Sequence, residues 1–141
     1  MKVYTSLREL EDTLPSGFHD ALLEVVTINY AANNAELVLQ LSVGSPDAPT
    51  QEEKDAYKPA KLYLTDLIYF VIDPLYPHPD YGYGEGDGLW IAGGDAREES
   101  DREDLKPKAD LPDDAFAYWF YVHEWNSHIH VAAKGASLEW L

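Results

Sequence analysis

Residues 123–130 read HEWNSHIH, which places three imidazoles, a carboxylate, an indole and an amide in eight consecutive positions. Neutral imidazole is a common metal ligand, and zinc asks for three or four ligands at about 2.0–2.1 Å, with one position left open where it catalyses. His123, His128 and His130 are therefore candidate zinc ligands. Two other readings of the same residues stay open: imidazoles packed beneath another element, and a polar-aromatic face that binds a partner.

Which of these applies depends on the hairpin that would carry them. The runs AFAYWFYVHEW and SHIHVAAK are strand-like, and Asn126 with Ser127 can form a two-residue turn between them. That turn predicts Trp125 opposite His128, His123 opposite His130, Tyr121 opposite Ala132 and Trp119 opposite Lys134. All three histidines then share a face with Trp119, Tyr121 and Trp125, at cross-strand Cβ separations of about 4.5–5.5 Å. The opposite face, with Phe116, Tyr118, Phe120, Val122, Ile129 and Val131, reads as core. Glu124 falls on the core face in this register, so no carboxylate completes a metal set, and a three-residue turn would scatter the cluster.

Other chemistry-bearing groups are sparse. Asp80, Glu85 and Asp87 stand among glycines that could fold carboxylates around calcium, but the EF-hand spacing is missing. His19 and Asp20 are adjacent at the start of a strand, where a turn or cap role is expected without a nucleophile nearby. A phosphate-cradling glycine loop, a Gly-x-Ser-x-Gly elbow and a His-Glu-x-x-His motif are all lacking, which lowers the expectation of an enzyme.

The elements that must hold these groups are legible from periodicity. TSLRELEDTLPSG is a short helix: Thr5 or Ser6 caps it, Glu9 stands three residues after Ser6, and Pro15 and Gly17 stop it. Leu7, Leu10 and Leu14 form its apolar stripe. AELVLQLSV alternates as a half-buried strand, and HDALLEVVTINY before it is joined through Asn33 and Asn34. A two-residue turn there sets Tyr30 against Leu37, Ile28 against Leu39 and Val26 against Leu41. AKLYLTDLIYFVID is a long strand that is apolar on both faces, with Asp66 marking a bulge or bend. Residues 44–60, 73–88 and 94–114 read as long loops, and the last carries nine acidic and four basic side chains between 95 and 114. One domain over 1–141 is expected, of α+β class: a mainly antiparallel β-sheet of five or six strands with one short N-terminal helix.

Charge bounds the partners. Twenty-six acidic residues against ten Lys and Arg give a formal charge of −16, which repels phosphate backbones and acidic membrane surfaces and attracts a basic protein. Nucleic-acid and membrane partners are not expected. The chain has no cysteine, which excludes disulfides and thiolate sites, and its first residues lack the apolar segment of a secretory signal, so a cytoplasmic location is expected.

FHDALLEVVTINY near the start and FAYWFYVHEWNSHIHVAAKGASLEW at the end together resemble a group of small uncharacterised bacterial proteins, some grouped with immunity proteins of toxin systems. That resemblance implies a binding role and transfers no catalytic residues. The leading expectation is a protein-binding domain, in one form an immunity-type inhibitor. Acidic loops (Asp101, Glu103, Asp104) would steer a basic partner onto the aromatic anchors Trp119, Tyr121 and Trp125. Its rivals are a metal-binding module or metal-dependent hydrolase built on the histidines, and a homodimer joined through the C-terminal strand face.

Overall fold

A computed structural model of the chain describes residues 1–76, 89–96 and 102–141. It begins with α1 (Leu7–Glu11), capped as the sequence predicts: the Ser6 hydroxyl accepts from the Glu9 amide at 3.0 Å. The Glu9 carboxylate reaches back to the Thr5 amide and hydroxyl at 3.2 and 2.7 Å. Those two hydrogen bonds hold the Glu9 carboxyl below its ordinary pKa. Leu7 and Leu10 are fully buried, and Leu14 packs beside them.

Among the described residues eight antiparallel strands follow: β1 (Ala21–Asn29), β2 (Asn34–Ser42), β3 (Tyr57–Thr65), β4 (Tyr69–Ile72), β5 (Leu89–Ala96), β6 (Phe116–Val122), β7 (Ser127–Ala133) and β8 (Gly135–Trp140). Their order is β4-β7-β6-β5-β1-β2-β3-β8. The class is broadly α+β, with few helices, but the strand count corrects the expected five or six. Two chain stretches are each broken into two strands. AKLYLTDLIYFVID bends at Asp66, whose φ of 51° lies in the left-handed region, so β3 and β4 are separate; β7 and β8 divide at Lys134.

These breaks let the sheet curl. β3 and β4 stand six strand spacings apart in the order, about 29 Å if the sheet were flat. Only four Cα steps join Thr65 to Tyr69, a reach of about 14 Å. The two ends of the sheet must therefore approach each other. Backbone hydrogen bonds from Ile68 to the Ala132 carbonyl at 2.8 Å and from Lys134 to the Thr65 carbonyl at 3.1 Å tie the two breaks together. Gly135 is required at this corner, because a Cβ there would lie 2.6 Å from Thr65 Oγ1.

Inside the curl one apolar core forms, and Phe18 is fully buried in it. Its ring lies edge-on to Phe120 at 5.4 Å and to Tyr118 at 6.2 Å, and Leu37, Leu39, Leu62, Leu64, Ile129 and Val131 belong to the same buried cluster. Tyr118 is buried with its hydroxyl donated to Glu11 at 2.8 Å, which fastens α1 to β6.

Both hairpin registers differ from the sequence reading by the same amount. Val26 faces Leu37 and Ile28 faces Ala35, so residues 30–33 form a four-residue turn in place of a two-residue one. Trp119 faces His130 and Tyr121 faces His128, with residues 123–126 as the turn. Each turn ends on a left-handed asparagine, Asn33 (φ 53°) and Asn126 (φ 47°). In each, that residue's amide donates to the carbonyl three residues back. Next to each turn the shift is even, so the strand faces assigned from alternation survive while the partners change; beyond a bulge in β1 between Leu23 and Val25 the register moves by one further residue, and Leu23 faces Leu39.

The expected loop 44–60 contains α2 (Gln51–Lys54) and the first residues of β3. A Cβ on Gly44 would run into the Lys54 carbonyl, which fixes glycine at that crossing. Within 94–114, β5 continues to Ala96 and a 3-10 turn spans Glu103–Leu105. The carboxylates Asp80, Glu85 and Asp87, read as a calcium candidate, and most of 73–88 lie outside the described residues. Among the described residues no helix is long and apolar enough to cross a membrane.

Candidate functional site

On the outer face of β6 and β7, away from the core, alternation places Ala117, Trp119 and Tyr121 beside His128, His130 and Ala132. This face is partly covered. Ala117, His130 and Ala132 are buried, while Trp119, Tyr121 and His128 are half-buried. The three half-buried side chains help line a cleft of about 830 Å³, together with Asp73, Pro74, Tyr76, Ala92, Arg102, Asp104, Lys108 and Asn126.

Four pieces of chain build it. After β4, the backbone stays bonded along β7 and its turn: the Asp73 amide donates to the His128 carbonyl at 3.0 Å, and the Tyr76 amide to the Trp125 carbonyl at 3.0 Å. The Ser127 hydroxyl donates to the Pro74 carbonyl at 2.8 Å. The 3-10 turn brings in Arg102 and Asp104, and the Lys108 amide reaches the Tyr69 hydroxyl at 3.4 Å. Ala92 sits where β5 bulges against β6, between the pairs of Ile91 with Val122 and Gly93 with Tyr121.

The charged groups of the cleft are already paired within the protein. His130, fully buried, shares a hydrogen bond at 2.7 Å between its Nε2 and Asp73 Oδ2. Arg102 grips Asp104 with two bonds, Nε to Oδ1 at 3.1 Å and Nη2 to Oδ2 at 2.6 Å, and this holds the Asp104 carboxyl below its ordinary pKa. Lys108 Nζ donates to the Asp104 carbonyl at 3.1 Å. The Tyr121 hydroxyl donates to Asn126 Oδ1 at 2.7 Å, so the left-handed turn residue also fixes a cleft side chain.

His128 lies among aromatic rings, edge-on to Trp119 at 5.5 Å and tilted against Tyr121 at 5.2 Å, with the His130 ring 6.0 Å away. Burial pushes its pKa down, and the neighbouring His130 and Arg102 add to the effect. Trp119 contributes an indole N–H that is buried without a hydrogen-bond partner among the described residues. Such a group is uncommon in a folded protein and calls for an explanation.

Of the side chains singled out in the sequence, the cleft collects Trp119, Tyr121, Asp104 and His128, with His130 directly behind them through Asp73. It does not collect the others. His123 sits in the turn, where its amide donates to the Trp90 carbonyl, so the expected convergence of three imidazoles is corrected by the register. Among the described residues no group of three or more His, Cys, Asp or Glu side chains is arranged to hold a metal ion. Trp125 packs toward the core, and Glu124, also in the turn, is buried and accepts from the Trp90 amide. Glu103 points outward and pairs with Lys106 at 3.0 Å, and Asp101 lies outside the described residues.

Alternation could not have found Asp73, Tyr76, Arg102 and Lys108, because they come from segments read as loops. The one available signal was indirect: a face rich in Trp, Tyr and His on a strand apolar on both sides needs cover. His19 and Asp20 behave as a turn, with their side chains 3.1 Å apart, Asp20 at φ 62° and the Asp20 amide donated to the Ile91 carbonyl.

No family model matches the chain, and no curated protein matches it. Among solved structures it is similar to an uncharacterised protein from Neisseria gonorrhoeae, at 12% identity and a TM-score of 0.47, over 88% of this chain and 94% of that one.

Proposed function

We propose that this chain acts by binding, and that its ligand docks in the cleft over the outer face of β6 and β7. The observation that carries this reading is the half-buried Trp119, Tyr121 and His128 at a concavity of about 830 Å³, with polar groups held in place around them. That volume falls in the range of small-ligand sites, about 300–1,000 Å³, which combine aromatic walls with a few fixed polar groups. The internal pairs of Arg102 with Asp104, Tyr121 with Asn126 and Asp73 with His130 order the cleft before a ligand arrives. Less side-chain freedom is then lost on binding. His130, although a chemically capable group, is sealed from the cleft by complete burial, which favours binding over catalysis.

The test is a fragment screen on the intact chain, read by the four tryptophan indole N–H resonances. Fragments should shift the Trp119 signal selectively, and Trp119→Ala should abolish their binding. Shifts confined to Trp90, Trp125 or Trp140 would place binding elsewhere and sink the proposal.

A second reading is a basic protein partner, of which an immunity-type inhibitor is one form; the net charge of −16 favours it. Asp104 and Glu103 are each engaged with a neighbouring cation, which blunts their own contribution to steering. On this reading, association with a basic partner slows steeply with added salt, and Glu103→Gln with Asp104→Asn reduces that slope only slightly. An on-rate indifferent to salt would count against it.

A further inference from the structure

We propose that residues 73–76 form a strap that opens as a unit while the sheet stays folded, and that the bond between Asp73 and His130 is its latch. The cleft then has one movable wall. This inference goes beyond the binding role and holds whatever the cleft binds.

Anchoring is the first argument. Past Ile72 the chain runs along β7 and its turn through four polar bonds. The Asp73 amide donates to the His128 carbonyl and the Tyr76 amide to the Trp125 carbonyl, each at 3.0 Å. The Ser127 hydroxyl donates to the Pro74 carbonyl at 2.8 Å, and His130 Nε2 meets Asp73 Oδ2 at 2.7 Å. No apolar side chain of the strap joins the core: Leu75 is 44% exposed and Tyr76 53%, and Pro74 is exposed as well. Just upstream, by contrast, Leu67 and Phe70 pack against the core. Apolar burial is the dominant favourable term in folding, whereas a hydrogen bond lost on opening is exchanged for one to water. A segment with few buried apolar contacts therefore opens locally at a fraction of the global cost.

Placement is the second. Asp73, Pro74 and Tyr76 all line the cleft, so moving them moves a wall, while Trp119, Tyr121 and His128 stay fixed on β6 and β7.

The latch is the third. Of the four bonds only that of Asp73 with His130 joins two side chains. His130 is fully buried and the Asp73 side chain is 27% exposed, so the pair runs from the interior to the cleft wall. A bond to a carboxylate, shielded from water at one end, is stronger than the amide and hydroxyl bonds beside it. Opening must separate this pair and turn the carboxylate to solvent.

The experiment is amide hydrogen exchange on the intact chain, residue by residue, in low, sub-denaturing urea. After correction for intrinsic rates, the Asp73 and Tyr76 amides should exchange at least about a hundredfold faster than the best-protected amides of β6 and β7. Their exchange should hardly respond to urea, since local opening exposes little surface. Ile28→Ala, which weakens a core contact kept when the strap opens, should speed the β6 and β7 amides about tenfold and leave the strap amides unchanged. Asp73→Ala removes a bond that opening itself breaks, so it should speed the strap amides about tenfold. If that variant does not fold, Asp73→Asn, of the same shape, should still speed them. Leu75→Ala should stay within about twofold of the parent. Strap amides that share the rate and urea slope of β6 and β7, or that follow Ile28→Ala, would overturn the separate unit. Strap amides indifferent to Asp73, or as sensitive to Leu75→Ala, would overturn the latch.

Discussion

At the tip of the β1–β2 hairpin the Tyr30 ring stands 88% exposed, whereas at the tip of β6–β7 a carboxylate, Glu124, is only 3% exposed. The backbones of the two turns are alike: four residues, a bond across three positions and a left-handed asparagine at the end. What they carry differs. The first turn makes one backbone bond beyond its own hairpin, its Asn33 carbonyl accepting from the Leu67 amide at 3.0 Å. The second bonds to β5 through Trp90 twice, accepting from its amide with Glu124 and donating to its carbonyl from His123, and also fixes Tyr121 in the cleft through Asn126. The same local solution thus serves connection in one place and site construction in the other, and its side chains decide which.

The largest effect that tests this contrast lies in the strands. Phe120 is fully buried, packs edge-on to Phe18 at 5.4 Å and lies 4.9 Å from Tyr118. Phe120→Ala should cost about 3–5 kcal/mol, while Ile28→Ala on the half-buried strand of the other hairpin should cost about 1–2 kcal/mol. Urea unfolding with an unchanged m-value measures both. Equal losses would mean that the two hairpins contribute alike to the core.

At the tips the contrast narrows but persists. Glu124→Ala leaves the Trp90 amide without its acceptor at a part-buried site, and should cost about 1–3 kcal/mol. Ala32→Glu, on the exposed turn, should stay within about 0.5 kcal/mol of the parent. A Glu124→Ala protein as stable as the parent would show the carboxylate to be dispensable.

The turn asparagines separate backbone from side chain. Glycine adopts the left-handed conformation freely, so Asn33→Gly should change stability by less than about 0.5 kcal/mol. Asn126→Gly keeps the backbone but loses the acceptor of the Tyr121 hydroxyl, and should cost about 1 kcal/mol and loosen the cleft. Matched thermal midpoints for the two variants would erase the distinction between the hairpins.

These tips also show how far the sequence could be read. Alternation identified the faces correctly: Tyr118, Phe120 and Val122 inward, Trp119, Tyr121 and His128 outward. It could not count turn residues, since Asn33 with Asn34, or Asn126 with Ser127, satisfies a two-residue turn as readily as Asn33 or Asn126 closes a four-residue one. An even slip preserves faces and exchanges partners, which is why the outer aromatic face was legible and the histidine convergence was not. Asp66 was visible as an interruption, but its consequence, two strands sent to opposite ends of a curled sheet, depends on contacts more than sixty residues away with β7 and β8. The acids and bases around the cleft come from charged segments without periodicity, where sequence marks composition and not position.

The smallest effect concerns pH, and it too belongs to one hairpin only, because the first carries no histidine in its strands or turn. His128 has its pKa lowered in the folded protein, chiefly by burial, with His130 and Arg102 acting in the same direction and Asp104 and Asp73 opposing. The unfolded chain therefore binds the proton more readily, starting near the ordinary value of 6.5. Where the unfolded state holds more protons, stability rises with pH. His128 should thus contribute no penalty above about pH 6.5 and an increasing one as pH falls below it, levelling off once the folded protein is also protonated. Comparing the parent with His128→Gln between pH 5 and 8 isolates this residue from the other four histidines. The parent should lose stability relative to the variant on acidification, and the aromatic contacts of His128 with Trp119 and Tyr121 should be the first to loosen, read from the Trp119 indole resonance. A difference that stays flat across that range would mean that the cleft solvates the charged imidazole as well as water does, and would remove the electrostatic contrast between the hairpins.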